Sequence, residues 1–340
     1  MFRAAIGSPR AEAGAVLAAV VCAAAVTLAG AANADASVPD TEVMGETGVP
    51  ILPAAQLGTV DTLYIQPNLP GTDPVPLSTP EQFSPLIGTM TLDESVAQGV
   101  ADLNTAIAPD VTAGTPVGVF GISQSAIIAS LEMEHLDPSG TQSSLPVDFV
   151  LTGDLMNPDG GVMERFPGLD ILGATFYGAT PGDDFSTVIY THEYDGFADF
   201  CQYPIDVVCD VNAVAGVFAD HDYSYLTAAQ VEAAIPLATQ GATDTTYYMI
   251  PSELPLVTDL QSIPVVGAPL AALLGPDLTA IVNWGYGNPD YGYSLDPANI
   301  PTPADLLPPA SDTTALLEAL VSGTQVGIQD FVTAILSEIS

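Results

Sequence analysis

Apolar residues recur at helical spacing through TLDESVAQGVADLNTAI (91–107), with Asp93 and Glu94 in the first turn, where acidic side chains suit the helix dipole. The run PVGVFGI that follows is small, β-branched and short, the pattern of a buried strand, and from Gln124 the sequence SAIIASLEMEHL returns to a helical texture. VDFVLTGD (147–154) and STVIYTHEY (186–194) predict two more strands ending in polar residues. DTLYIQ (61–66) also reads as strand-like, and PNLPGTDPVP after it as a turn-rich loop. Strands alternating with helices imply an α/β protein with a doubly wound, mainly parallel sheet, whose sites form at the C-terminal ends of strands.

From Leu226 the texture becomes helical and Pro-punctuated, so residues 226–310 predict a lid, a cap over the sheet edge or a second small domain. The last stretch, TTALLEALVSGTQVGIQDFVTAILSEI, carries two helical patterns broken at Gly323, expected to pack on the main domain. No repeat is visible.

The first 34 residues read differently. Arg3 and Arg10 precede an apolar run from Ala13 to Ala32, and Ala32-Asn33-Ala34 has the small-residue form of a cleavage site. This predicts an export signal (1–34) cut before Asp35. The alternative is an uncleaved anchor, because the run approaches the ~20 residues that span a bilayer. Cleavage leaves Arg165 as the only Arg or Lys, facing 40 of the chain's 41 carboxylates. Such a surface repels phosphate backbones and anionic lipid headgroups, so nucleic acid is excluded as a partner. Cys201 and Cys209, close together in an exported chain, are expected to form a disulfide rather than a metal site.

The candidate chemistry lies in GISQSA. A nucleophile elbow turns a strand sharply into a helix and needs small residues two before and two after its serine. Gly121 meets the first requirement, and Ser125, small but not glycine, meets the second less fully. Ser123 is therefore a candidate nucleophile, against the alternative of a helix-capping serine, and the Gln124 N–H a candidate first oxyanion donor. A hydroxyl needs a base. Of the three histidines, His135 falls on the helix after the elbow and His192 inside a predicted strand. His221, in FADHDYSY, is the one that follows an acid in the order Ser, Asp, His. YDGFADF supplies the acid: Asp199, beyond the strand end, is preferred, with Asp195 the alternative. A Cys201–Cys209 bridge would clamp the loop just after it.

These residues, together with VMGETGVP, NPDGGVMERFPG, YPIDVVCDVNAVAGVFADHDYSYLT, DTTYYMIP and VVGAPLAALLGPDLTAIVNWGYG, make the chain similar to the PE-PPE domain family, exported mycobacterial serine hydrolases with a cutinase-like α/β-hydrolase fold. The resemblance runs from about Val43 to the last helix. It implies Ser123 as nucleophile, His221 as base, Asp199 or Asp195 as acid, and a backbone N–H near Thr47 as second oxyanion donor. Glu46 stands where the family more usually has glycine, so its side chain is expected to face outward. The PE or PPE module that often precedes the domain is replaced by the signal, which favours general export. Arg165 is expected to make a structural ion pair.

The expected function is a secreted esterase or lipase acting on short- to medium-chain esters, with no cofactor or metal and with association with the cell envelope as a further expectation. An acyltransferase serving envelope glycolipids, and a non-catalytic exported binding protein, are the alternatives. Trp284, Tyr286 and the Leu-rich 265–274 run are expected either to form an acyl pocket or lid or to be ordinary core.

Overall fold

The computed structural model describes residues 39–339, with side chains as far as Leu336. The proposed signal, 1–34, lies outside them. In chain order the elements are β1 (Asp40–Val43), α1 (Ala54–Val60), a π-helical turn (Asp61–Ile65), α2 (Gln66–Asn68), β2 (Asp73–Pro76), α3 (Leu92–Ala113), β3 (Val117–Ile122) and α4 (Gln124–Leu136). After these come β4 (Val147–Thr152), α5 (Val162–Arg165), β5 (Thr187–His192), α6 (Val207–Ala219), a 3-10 turn (Tyr223–Tyr225), α7 (Ala228–Glu232) and β6 (Ile235–Pro236). The chain closes with β7 (Thr245–Ile250), α8 (Pro255–Gln261), α9 (Gly267–Trp284) and α10 (Ala310–Ile339).

The seven strands among the described residues form one sheet in the order β2-β1-β3-β4-β5-β7-β6, parallel throughout except for the short β6. Alternate strand residues feed two cores. Val117, Val119, Phe149, Leu151 and Ile189 pack under α3 and α4, whereas Phe120, Ile122, Val150 and Tyr190 pack against α1 and the π-helical turn on the other face. This two-faced, mainly parallel sheet is an α/β-hydrolase fold.

Three expectations change. DTLYIQ is not a strand: it continues α1 as a helical turn, with Leu63, Tyr64 and Ile65 buried in succession. β-branched and aromatic residues gave it strand character, but tertiary burial decides, with the Tyr64 ring packed between Phe120 and Tyr190. The neighbouring strand is instead the Pro-rich segment DPVP, which the sheet tolerates because β2 is an edge. Second, residues 226–310 are not all helical: β7 lies inside the sheet beside β5, and the helices α8 and α9 follow it. Third, Gly323 does not break the C-terminal helix. α10 runs unbroken for 30 residues. Gly323 and Gly327 are where it crosses α9 at close range: a Cβ on the first would strike the Asp277 carboxylate, and one on the second the Leu273 carbonyl.

Candidate active site

Ser123 sits between β3 and α4 with φ 57° and ψ −119°, a strained conformation for a residue with a side chain. The elbow is held from both sides. A Cβ at Gly121 would come 2.7 Å from the Ser125 carbonyl oxygen and 3.0 Å from the Ala126 backbone, so strand and helix meet this closely only over glycine. Ser125 is more than a small residue: the Ile122 N–H donates to its Oγ at 2.8 Å, and its O–H donates to the Ile122 carbonyl at 3.0 Å. The hydroxyl satisfies backbone groups that the sharp turn leaves without ladder partners.

His221 follows α6 by two residues, and its Nε2 lies 2.7 Å from Ser123 Oγ. Its Nδ1 lies 2.9 and 2.8 Å from the two oxygens of Asp195. With Nδ1–H donating to the carboxylate, Nε2 is left to accept the serine proton. Gly153, at φ 58° beyond the end of β4, makes room for the ring: a Cβ there would meet His221 Cε1 at 3.0 Å and the Tyr223 ring at 2.7 Å.

Asp195 is fully buried and also accepts from the Phe197 N–H at 3.0 Å and the Tyr223 hydroxyl at 2.7 Å. Burial pushes its carboxyl up, but the charge and hydrogen bond of His221, with the Phe197 and Tyr223 donors, outweigh it and hold the pKa below the ordinary value. Burial pulls His221 down, yet the charge and hydrogen bond of Asp195, with Glu46 and Asp222 behind them, raise its pKa above the ordinary value.

The preferred acid from sequence, Asp199, does not contact the imidazole. It is buried behind the same turn, where its Oδ2 accepts the Tyr194 N–H at 3.0 Å and its own N–H donates to the Asp195 carbonyl at 2.6 Å. The turn is too tight for the later aspartate to reach forward. Tyr194 is at φ 67°, and Gly196 packs where a Cβ would strike the Ala213 carbonyl of α6. The carboxylate delivered to His221 is therefore Asp195. Burial pushes Asp199 well up, against the pull of the Tyr194 N–H and Arg165.

The candidate oxyanion side is built around Gln124. Its N–H opens α4, where the first amides have no intrahelical acceptor. Its side chain accepts from the Thr47 hydroxyl at 2.8 Å and donates to Ser95 Oγ at 2.6 Å. Thr47 thus sits beside the elbow, in a turn closed by the Val49 N–H on the Glu46 carbonyl at 2.8 Å and anchored by the Gly48 N–H on the Glu81 carbonyl at 2.7 Å. Glu46 does not face fully outward as expected. It is half-buried, and its pKa is raised by burial and by Asp222, with an opposing pull from His221.

Tyr223 and Gly153 escaped the sequence reading. A tyrosine two residues after the histidine and a glycine just past a strand end carry no motif, and only the fold brings them to the acid and the imidazole. The other predicted residues lie away from the reacting groups. His135 is exposed on α4, and His192 is buried with Nδ1 2.8 Å from the Asp220 carbonyl. Arg165 is buried, 3.6 Å from Asp159, with Nε donating to the Phe200 carbonyl. Cys201 and Cys209 are disulfide-bonded and tie the loop after Asp199 to α6. Tyr286 is buried and donates to the Asp199 carbonyl at 2.9 Å, while Trp284 Nε1 reaches Thr313 of α10. Among the described residues no group of His, Cys, Asp and Glu is arranged to hold a metal ion.

Strand, strained serine, helix, histidine and buried aspartate have the arrangement of a serine nucleophile with its base and acid. The family model for the PE-PPE domain matches residues 70–287. The chain belongs to the PE-PPE domain family. It is 47% identical over 315 residues to the PPE family protein PPE28 of Mycobacterium tuberculosis (strain ATCC 25618 / H37Rv), covering 90% of this chain and 48% of that protein. It is 44% identical over 284 residues to "Esterase PE16" of the same strain, covering 81% of this chain and 52% of that protein. A more distant relative there, "SL1278 acyltransferase Chp1", is 26% identical over 242 residues, or 68% of this chain and 56% of its own. This PE-PPE domain chain thus spans about half the length of the curated relatives it matches. Among solved structures, a cutinase-like protein from Cryptococcus sp. overlaps 48% of this chain and 80% of its own at a TM-score of 0.32 and 20% identity, too slight a match to bear on the fold.

Proposed function

We propose that this PE-PPE domain chain is an exported carboxylic ester hydrolase that works through an acyl-enzyme on Ser123. The observation that carries the reading is the unbroken hydrogen-bonded chain from Ser123 Oγ through His221 to the buried Asp195, at 2.7 and 2.8 Å, on a strained elbow. Similarity to the esterase PE16 supports the same chemistry.

Ser123 Oγ attacks the acyl carbon while its proton passes to His221 Nε2. The tetrahedral oxyanion is held by the Gln124 N–H and the Thr47 N–H, a contribution worth roughly 3–4 kcal/mol per donor in comparable sites. Asp195 fixes the imidazole tautomer and stabilises the imidazolium. His221 then gives its proton to the departing alkoxide, and the alcohol leaves. A water, deprotonated by His221, attacks the acyl-enzyme; the acid departs and Ser123 recovers its proton. The carboxylates of Glu46 and Asp222 near His221 make the site mouth unfavourable to anionic substrates, so uncharged esters are the substrate class. The N-terminal segment 1–34 supports export.

A second reading has an alcohol, such as a sugar or lipid hydroxyl, take the place of water at the acyl-enzyme. Similarity to the acyltransferase Chp1 favours it. Incubation with a p-nitrophenyl ester, with and without a glycolipid acceptor, separates the two: free acid unchanged by acceptor supports hydrolysis, and acylated acceptor at the expense of acid supports transfer. Release of neither p-nitrophenol nor acid across acyl lengths from two to twelve carbons refutes both.

A further inference from the structure

α6 has two faces of opposite character. Its inner face carries Cys209, Ala213 and Gly216, all buried. A Cβ at Gly216 would strike the Tyr194 carbonyl, so the helix lies directly on the turn that holds Asp195. Its outer face carries Val207, Val211, Val214 and Phe218, which are 66, 52, 60 and 86% exposed. Their spacing of four, three and four residues puts all four on one narrow stripe of a helix. Core-facing helices bury such a stripe, yet no described part of the chain covers this one.

Along the chain, the stripe leads into the candidate site. Phe218 precedes His221 by three residues. Beyond the histidine, Tyr225 is 69% exposed on the turn whose Ser224 accepts from Gln56 of α1, and Ile51, 52% exposed, stands at the end of the turn that holds Thr47. Exposed apolar side chains therefore flank the mouth on both the histidine side and the oxyanion side. Exposed apolar side chains gathered around a site in this way mark an interaction surface.

Charge selects the partner. The one charged residue within α6, Asp210, lies off the stripe and is only partly exposed. Among the described residues the only Arg or Lys is Arg165, which is buried. No cation is offered to phosphates or anionic headgroups, while the surrounding carboxylates repel them.

We propose that the outer face of α6 seats the enzyme on the surface of its aggregated, uncharged ester substrate, with Phe218 at the edge next to the catalytic histidine. The proposal rests on the ester-hydrolase reading for what the surface consists of. The apolar stripe enters the lipid boundary, and Asp195, in the turn under the inner face of the same helix, and His221, two residues beyond its end, are carried to that boundary with it.

The test uses the full chain with emulsified tributyrin and, separately, dissolved p-nitrophenyl acetate. Binding is read without turnover by flotation of Ser123→Ala protein with the droplets. We expect that protein to float, and the same protein with Val211→Ser and Phe218→Ser to remain below. In the active background, the double variant should lose about tenfold or more of its rate on emulsion, as expected for removing two buried apolar anchors, and keep its rate on dissolved ester. A Val207→Ser, Val214→Ser variant should behave alike, which guards against a single misfolded protein. Equal flotation and equal emulsion rate in the variants overturn the proposal, as does equal loss on both substrates by two folded variants. Conversion of a wild-type dimer to a monomer with emulsion rate unchanged would assign the stripe to a second copy and overturn it also. Stripe-dependent flotation without ester hydrolysis would leave docking standing and remove the hydrolase reading; hydrolysis without flotation would do the reverse.

Discussion

Replacing Asp195 by Asn and Asp199 by Asn, one at a time, separates the carboxylate on the imidazole from the one behind the turn. Every group facing the Asp195 carboxylate is a donor: His221 Nδ1–H, the Tyr223 hydroxyl and the Phe197 N–H. An amide cannot satisfy all three. If its NH2 faces His221, it accepts nothing and forces Nδ1 to become the acceptor, so Nε2 carries the proton and cannot take one from Ser123. If its oxygen faces His221, the NH2 opposes the Phe197 N–H inside a fully buried site. The tautomer error alone is worth about a thousand- to ten-thousandfold in kcat. Asp199 is different. Burial pushes its pKa well up, its Oδ1 has no hydrogen-bond partner, and its Oδ2 accepts only the Tyr194 N–H, which an amide oxygen also accepts. Asp199→Asn should stay within about threefold of wild type, a barrier change below ~1 kcal/mol. Steady-state hydrolysis of p-nitrophenyl butyrate, with circular dichroism to confirm folding, reads both. A folded Asp195→Asn enzyme with near-normal kcat, or a folded Asp199→Asn enzyme with a thousandfold loss, refutes the assignment.

Further outcomes follow from the same geometry. Tyr223→Phe removes a donor to Asp195 and leaves the His192 N–H, now at 2.8 Å from the hydroxyl, without an acceptor. It should cost about 1–3 kcal/mol in urea unfolding and lower kcat by roughly tenfold; unchanged stability would contradict that role. Because Asp195 raises the His221 pKa and the neutral ring is the base, kcat/KM should rise with pH through an inflection above 6.5, and Asp195→Asn should move it downward. An inflection below 6.5 in wild type would contradict this. Stability should run the other way. Burial raises Glu81 to about 8 and Asp220 to about 7, so the folded state keeps protons that the unfolded chain has released. The protein is then most stable near pH 5 and loses stability as pH rises toward 8, with Glu81 alone contributing on the order of 3 kcal/mol at pH 7. Thermal melts of wild type and Glu81→Gln check this: the variant should flatten the decline, and a wild-type melting temperature rising from pH 5 to 8 would refute it.

The parallel sheet and the elbow were legible in the sequence because local pattern and tertiary role agree there. PVGVFGI is apolar at every position and lies in the middle of the sheet, and Gly121 is small where strand meets helix. The choice between Asp195 and Asp199 was not legible. Both stand in one turn, and the deciding facts are a left-handed Tyr194 and the contact of Gly196 with α6, which are set by packing and not visible in the spacing of the residues. DTLYIQ misled because strand-favouring residues also suit a helical turn that buries Leu63, Tyr64 and Ile65 in succession. Gly323 misled because glycine breaks isolated helices but also lets two helices touch.

The central claim is that Ser123 is an activated nucleophile, and labelling with a fluorophosphonate tests it most directly. Intact-mass and peptide analysis should find one adduct, on Ser123, in wild type, and none in Ser123→Ala or His221→Ala. A folded wild-type protein that takes no label, or a Ser123→Ala variant that labels as wild type does, would contradict the account.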